Sequence, residues 1–97
     1  MKKVKYTIRY YVVGIANIWA KSRSGSIDAT IQLVDTMALI NKLDARSRFI
    51  ILKKYFYGWS NVKVATALNV PKKTVEYLTA TALDRLDRLY EIQMMRE

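Results

Sequence analysis

The chain has 97 residues, 52% of them hydrophobic and 26% charged, a composition typical of one folded domain and not of a disordered segment. Seventeen Lys and Arg against eight Asp and Glu give a net charge of +9, which favours a polyanionic partner such as nucleic acid. The chain has no Cys and no His, which excludes thiol nucleophiles, disulfides and zinc-finger ligand sets. Paired carboxylates and a Gly-rich phosphate loop are also missing, so we expect a protein that is not an enzyme and needs neither a cofactor nor a metal.

A basic segment at the start of the chain precedes an apolar run over residues 10–20, the outline of a secretory signal. Arg9 adjoins this run, Asn17 interrupts it, and no small-x-small cleavage pattern follows. The run is also well short of the roughly 20 apolar residues that span a bilayer. We therefore expect a cytoplasmic protein without a membrane partner.

Apolar residues spaced three and four apart predict an amphipathic helix over residues 5–21, with a strand over residues 4–13 as the alternative. The polar segment that follows ends at Ser26, a favourable N-cap because its hydroxyl can accept from a free N–H of a second helix. The predicted buried stripe of that second helix comprises Ile27, Ile31, Val34, Met37, Ala38 and Ile40.

Asp44 is the expected N-cap of a third helix, which runs from residue 45 to about residue 57 and stops at Gly58. Its apolar positions are Phe49, Leu52 and Phe56. They alternate with basic residues, so one side of this helix is predicted to pack and the other to face a polar environment.

Ser60 is the expected N-cap of a short helix over residues 61–68. After a break at residues 69–71, a long helix begins at Lys72 and continues towards the tail, residues 91–97. The tail either frays or extends the long helix into a contact with another molecule, which leaves a homodimer open.

These elements predict an all-α protein of about five helices. One domain is expected, with N-terminal helices in residues 1–43, a helix-turn-helix unit without a wing in residues 44–90, and the tail. The turn of that unit needs a small residue where two helices approach closely and a left-handed residue that reverses the chain. Ala65 and Asn69 meet these needs, Val70 fills the angle between the helices, and Pro71 begins the second helix where its missing N–H costs nothing.

The segment over residues 60–83 resembles the fourth conserved region of bacterial sigma factors. The matching positions are Val64-Ala65, Leu68-Asn69-Val70, Thr74-Val75 and Ala82-Leu83, preceded by Arg48, Leu52, Tyr55 and Gly58 in the upstream helix. Lys63 departs from that region's usual acidic residue, Asn69 from its usual glycine, and Leu78 from an arginine common in the smaller sigma factors. No promoter-melting or polymerase-core-binding region is recognisable in the N-terminal half. The chain is most similar to small sigma-like regulators of phages and mobile elements in Gram-positive bacteria, the ArpU/RinA-like class.

This resemblance implies a sequence-specific DNA-binding transcriptional regulator with double-stranded DNA as a partner. It further implies an activator that acts with RNA polymerase at phage or mobile-element promoters, in the cytoplasm of a bacterium or of a phage-infected host. Two alternatives stay open. One is a DNA-packaging protein like a small terminase subunit, and the other is a sigma-like interaction protein that binds polymerase or a regulator and not DNA.

In a helix-turn-helix unit, the second helix lies in the major groove and the N-terminal residues of that helix meet base edges. The candidate DNA-binding residues of this helix are Lys72, Lys73, Thr74, Glu76, Tyr77 and Thr81. Lys73 could donate to guanine and Glu76 could accept from cytosine. Candidate flanking contacts to phosphates are Arg46, Arg48, Lys53 and Lys54, together with the N-terminal Lys2, Lys3 and Lys5, and Lys63 is a further candidate DNA-binding residue. The aromatic residues, Trp59 among them, are interpreted as packing residues.

Overall fold

The computed structural model describes residues 8–95, and within this range it contains helices and connecting turns but no strand. The helices are α1 (Ile8–Val13), α2 (Ile15–Arg23), α3 (Ile27–Ile40), α4 (Ala45–Ile51), α5 (Asn61–Leu68) and α6 (Lys72–Met95). A π-helical turn over Leu52–Phe56 continues α4. The predicted all-α class is therefore confirmed, with six helices in the described part of the chain where about five were expected.

The extra helix arises because the first predicted helix is divided at Gly14. Gly14 has φ −93° and ψ 17°, outside the α-helical range, although backbone hydrogen bonds still run from Gly14 N to Tyr10 O and from Ile18 N to Gly14 O, each 3.1 Å long. The hydrogen bonding thus continues through Gly14, and the division reflects the backbone angles of this one residue. The strand alternative is wrong for residues 8–13, which are helical, and residues 5–7 of the predicted helix lie outside the described residues.

The predicted buried stripe of α3 is wrong at four of its six positions, and it is confirmed at Ile40, which is fully buried, and at Met37, which packs against the core. Ile27, Ile31 and Val34 are 74%, 55% and 62% exposed, and Ala38 is exposed as well. The residues of α3 that are buried are Ala29, Thr36, Leu39 and Ile40, with Leu33 and Met37 packed against the core. This helix has apolar residues on two opposite sides, and periodicity alone does not say which side meets the other helices. The N-cap prediction is confirmed, since Ser26 Oγ accepts from Ala29 N at 3.1 Å.

The third predicted helix ends differently from a regular α-helix. Its N-cap is confirmed because Asp44 Oδ2 accepts from Ser47 N at 3.2 Å, and Gly58 stops the helix with φ +75°. Between them, Tyr57 N donates to Leu52 O at 3.1 Å, five residues back, which defines the π turn. The predicted apolar positions of this helix are only half-buried, whereas Ile50 and Ile51 are fully buried.

Two apolar clusters form the interior, and the neighbouring residues Ile50 and Ile51 belong to different ones. The larger cluster joins the N-terminal helices to α6 and contains Ile8, Val12, Ile15, Leu39, Ile40, Leu43, Ile51, Ala82, Leu83 and Leu86. The smaller cluster lies within the helix-turn-helix unit and contains Ile50, Val64, Ala65 and Val75. Each of the large aliphatic side chains contributes about 1.5–3 kcal/mol through burial, so both clusters hold α6 firmly.

Within residues 8–95, no helix combines the length and the apolar character that a membrane crossing requires.

Candidate nucleic-acid interface

The turn between α5 and α6 has the geometry that the sequence predicts. Asn69 adopts a left-handed conformation with φ 58° and ψ 48°, and it is the one non-glycine residue of the described range with a positive φ. Val70 N donates to Ala65 O at 3.0 Å and Asn69 N donates to Thr66 O at 3.2 Å, so two carbonyls of the last turn of α5 have partners. The chain therefore reverses at Asn69 and does not continue as one rod.

The smaller apolar cluster and one buried hydroxyl fix the orientation of α6. Val75 of α6 is fully buried beside Val64 of α5, and Val70 and Leu78 pack against the same cluster. Thr79 is buried, and its Oγ1 donates to Val75 O at 2.7 Å and accepts from Lys54 Nζ at 3.2 Å. These contacts leave the opposite side of the first turns of α6 free of packing.

The open side of α6 carries most of the candidate recognition residues. Lys72, Lys73, Glu76 and Tyr77 are exposed, and Lys72 Nζ lies 3.8 Å from Glu76 Oε2. Thr74 and Thr81 are half-buried. Thr81 was expected to face outward with the others, but its Oγ1 donates to Leu78 O at 3.0 Å because a threonine hydroxyl can bond back to its own helix.

Comparison with known proteins identifies the family to which the chain belongs. Residues 33–86 match the model of the family described as Sigma-70, region 4. The chain belongs to this family. The matched range begins within α3 and ends within α6, so it includes α4, α5, the turn at Asn69 and the first part of α6, and it leaves out α1 and α2.

One curated relative has an informative name. The chain is 35% identical over 65 residues to the RNA polymerase sigma factor NccH of Alcaligenes xylosoxydans xylosoxydans. The aligned part covers 67% of this chain and 35% of NccH, so the chain spans about a third of the length of that relative. No solved structure matches the chain significantly.

The flanking basic residues of this region 4 unit lie in different environments. Arg46, in the first turn of α4, and Lys63, in α5, are exposed. Arg48 Nη1 donates to Leu43 O at 3.0 Å and to Asn41 O at 3.3 Å, so this guanidinium satisfies carbonyls at the end of α3. Partial burial lowers the pKa of Lys54, whose ammonium donates to Thr79. The N-terminal lysines lie outside the described residues.

The structure places Trp59, which the sequence interpretation treated as a packing residue, beside Lys53 and Lys63, two of the candidate DNA-binding residues. Trp59 follows the π turn and packs its ring edge-on against Phe49 at 6.2 Å between centroids. The ammonium groups of Lys53 and Lys63 both lie over its indole. The signal in the sequence is a tryptophan with a lysine six positions before it and another four positions after it, but their spatial grouping depends on the turn before α5.

Proposed function

We propose that the protein is a sequence-specific DNA-binding regulator of transcription that acts together with RNA polymerase. The observation that carries this proposal is the open side of α6, where exposed polar residues follow a left-handed turn at Asn69. Membership of the region 4 family and the likeness to a protein named an RNA polymerase sigma factor support it. The net charge of +9 supports a polyanionic partner.

In this proposal, the first turns of α6 enter the major groove of a DNA duplex. Lys73 donates to O6 and N7 of a guanine, and Glu76 accepts from N4 of a cytosine. The ring of Tyr77, 67% exposed, packs on a thymine methyl group. Arg46 and Lys63 contact phosphates beside the groove and set the register of α6 without reading bases.

Selection of bound sequences from random duplex DNA by the full chain tests the proposal. We expect an enriched motif, and we expect Glu76→Ala to relax the preference at one base pair by about 1–3 kcal/mol. Lys21→Ala is the matched control because Lys21 lies on α2, outside the helix-turn-helix unit. An absence of any enriched motif at low salt would contradict DNA reading and would favour the sigma-like interaction protein that binds another protein.

We further propose that the protein activates transcription, at phage or mobile-element promoters. Transcription by bacterial RNA polymerase from a template that carries the selected motif is the test. Addition of the protein should raise the transcript yield from this template. On a template with a scrambled motif, the yield should be the same with and without the protein. A fall in yield would indicate a repressor, and a large ring-shaped oligomer in light scattering would favour the packaging alternative.

A further inference from the structure

Trp59 holds two lysine side chains at the edge of the helix-turn-helix unit. Lys53 Nζ lies 4.7 Å and Lys63 Nζ 4.4 Å from the centroid of the indole ring. Lys53 Nζ also lies 4.5 Å from the ring centroid of Tyr57 and 5.6 Å from that of Phe49. Of the ion pairs between residues of the described range, none involves Lys53 or Lys63.

We propose that Lys53, Trp59 and Lys63 form a clamp for the phosphodiester backbone of one DNA strand. This inference rests on the proposed DNA binding and assigns to Trp59 a positioning role that family membership does not supply. The two ammonium groups share one indole, so their separation cannot exceed the sum of their distances from its centroid. Two cations at this spacing without a neutralising carboxylate create a local positive potential that favours an anion.

The aromatic rings make the two lysines more effective than free surface lysines. A free lysine side chain loses much rotational freedom when its ammonium is fixed on a phosphate. Cation–π contacts restrict Lys53 and Lys63 before DNA arrives, so less freedom remains to be lost on binding. The indole is itself held in place, because Trp59 and Phe49, which lies edge-on to it, both pack against the smaller apolar cluster.

The position of the clamp fits the docking geometry of a helix-turn-helix unit. In such units the first helix crosses the DNA backbone while the second lies in the groove. Lys63 lies in the first turns of α5, which is the first helix here, and Trp59 immediately precedes the N-cap residue Ser60. Lys63 therefore lies on the element that meets the backbone when α6 reads base edges, and Trp59 holds Lys53 beside it.

The test is the salt dependence of duplex binding by the full chain, measured through the fluorescence anisotropy of labelled DNA. Lys53→Gln and Lys63→Gln should each reduce the slope of log K against log salt by about 0.9. Trp59→Leu keeps both charges and should weaken binding several-fold, whereas Trp59→Phe keeps a ring and should recover most of the loss. Lys21→Gln on α2 is the matched control and should leave the slope unchanged.

A triple variant separates positioning from a general structural role. In a chain that already carries Lys53→Gln and Lys63→Gln, Trp59→Leu should cause no further loss of affinity, since no ammonium remains to be positioned. A further loss of the same size, in a protein whose circular dichroism is unchanged, would overturn the clamp. Duplex binding with wild-type slopes in both lysine variants would also overturn it and leave the proposed function standing. If the unaltered chain binds no duplex at low salt, the proposed function fails and the clamp with it.

Discussion

Arg9 in α1 and Asp87 in α6 are 78 positions apart in the sequence, yet Arg9 Nε lies 2.7 Å from Asp87 Oδ2. The same guanidinium reaches Asp84, with Arg9 Nη2 2.5 Å from Asp84 Oδ1. The hydrogen bond to Asp87 raises the pKa of Arg9. One side chain thus connects the N-terminal helix to the long helix that carries the candidate recognition residues.

This connection predicts a small, salt-dependent contribution to stability. Asp87→Asn should lower the free energy of unfolding by about 0.5–1 kcal/mol at low salt, because partly exposed ion pairs are screened by water. The loss should shrink in high salt. Urea denaturation at both salt concentrations measures it, with Arg88→Gln as the control because Arg88 is exposed and forms no ion pair with any residue of the described range. A loss of equal size at both concentrations would show that Asp87 acts through something other than charge.

The left-handed turn predicts a difference between two substitutions at one position. Asn69→Ala should destabilise the protein by about 1 kcal/mol, because alanine pays the steric cost of a positive φ without the local hydrogen bonding that asparagine offers. Asn69→Gly should change the stability much less, since glycine adopts this conformation freely. Thermal or urea unfolding of both variants tests the turn. Equal losses would mean that the side chain of Asn69, and not its backbone angle, determines the effect.

The orientation of α3 predicts that its two apolar sides respond differently to substitution. Val34→Gln lies on the outward side and should change the free energy of unfolding by no more than about 0.5 kcal/mol. Leu39→Ala lies on the buried side and should cost about 2–5 kcal/mol, because it removes buried methyl groups and leaves a cavity. Chemical denaturation compares the two. Comparable losses would contradict the exposure of Val34.

The N-cap of α4 predicts a pH dependence in acid. Hydrogen bonds from Ser47 lower the pKa of Asp44, and the bond from its side chain has a larger effect than the bond from its backbone N–H. A carboxylate whose pKa is lower in the folded state stabilises the protein above the pKa of the unfolded chain, and this contribution is lost as pH falls through the folded value. Stability should therefore decline below about pH 4, and Asp44→Asn should flatten that decline while keeping a capping oxygen.

Urea titrations at neutral pH and near pH 3 measure the effect at Asp44. Asp44→Ala serves as the comparison, because it removes the cap at every pH and should cost about 1 kcal/mol even at neutral pH. If Asp44→Asn shows the same decline in acid as the unaltered chain, the titrating group lies elsewhere.

Local chemistry made much of this fold predictable. Ser26, Asp44 and Ser60 were identified as N-caps from residue type and position, and each accepts the backbone hydrogen bond that the prediction requires. The left-handed conformation of Asn69 was predictable for the same reason, since few residues tolerate it. Such features depend on a few neighbouring residues, and the printed sequence contains all of them.

Features that depend on distant parts of the chain were not predictable in the same way. The buried side of α3 is decided by where α1, α2 and α6 pack, and the spacing of Ile31 and Val34 does not contain that information. The π turn after Ile51 also escaped prediction, because a segment of five residues is too short for its change of helical period to be recognised in the sequence. The grouping of Lys53 and Lys63 on Trp59 was not predictable either, because it depends on the turn before α5.

The shared interior of α1, α3 and α6 bears on how this protein can be dissected or grafted. Leu83 and Leu86 of α6 belong to the larger apolar cluster, together with Ile8 and Val12 of α1. A fragment that begins at α4 would expose this apolar surface of α6 to water and would be prone to aggregation. A chimeric protein that takes α6 from this chain should therefore include the N-terminal helices as well.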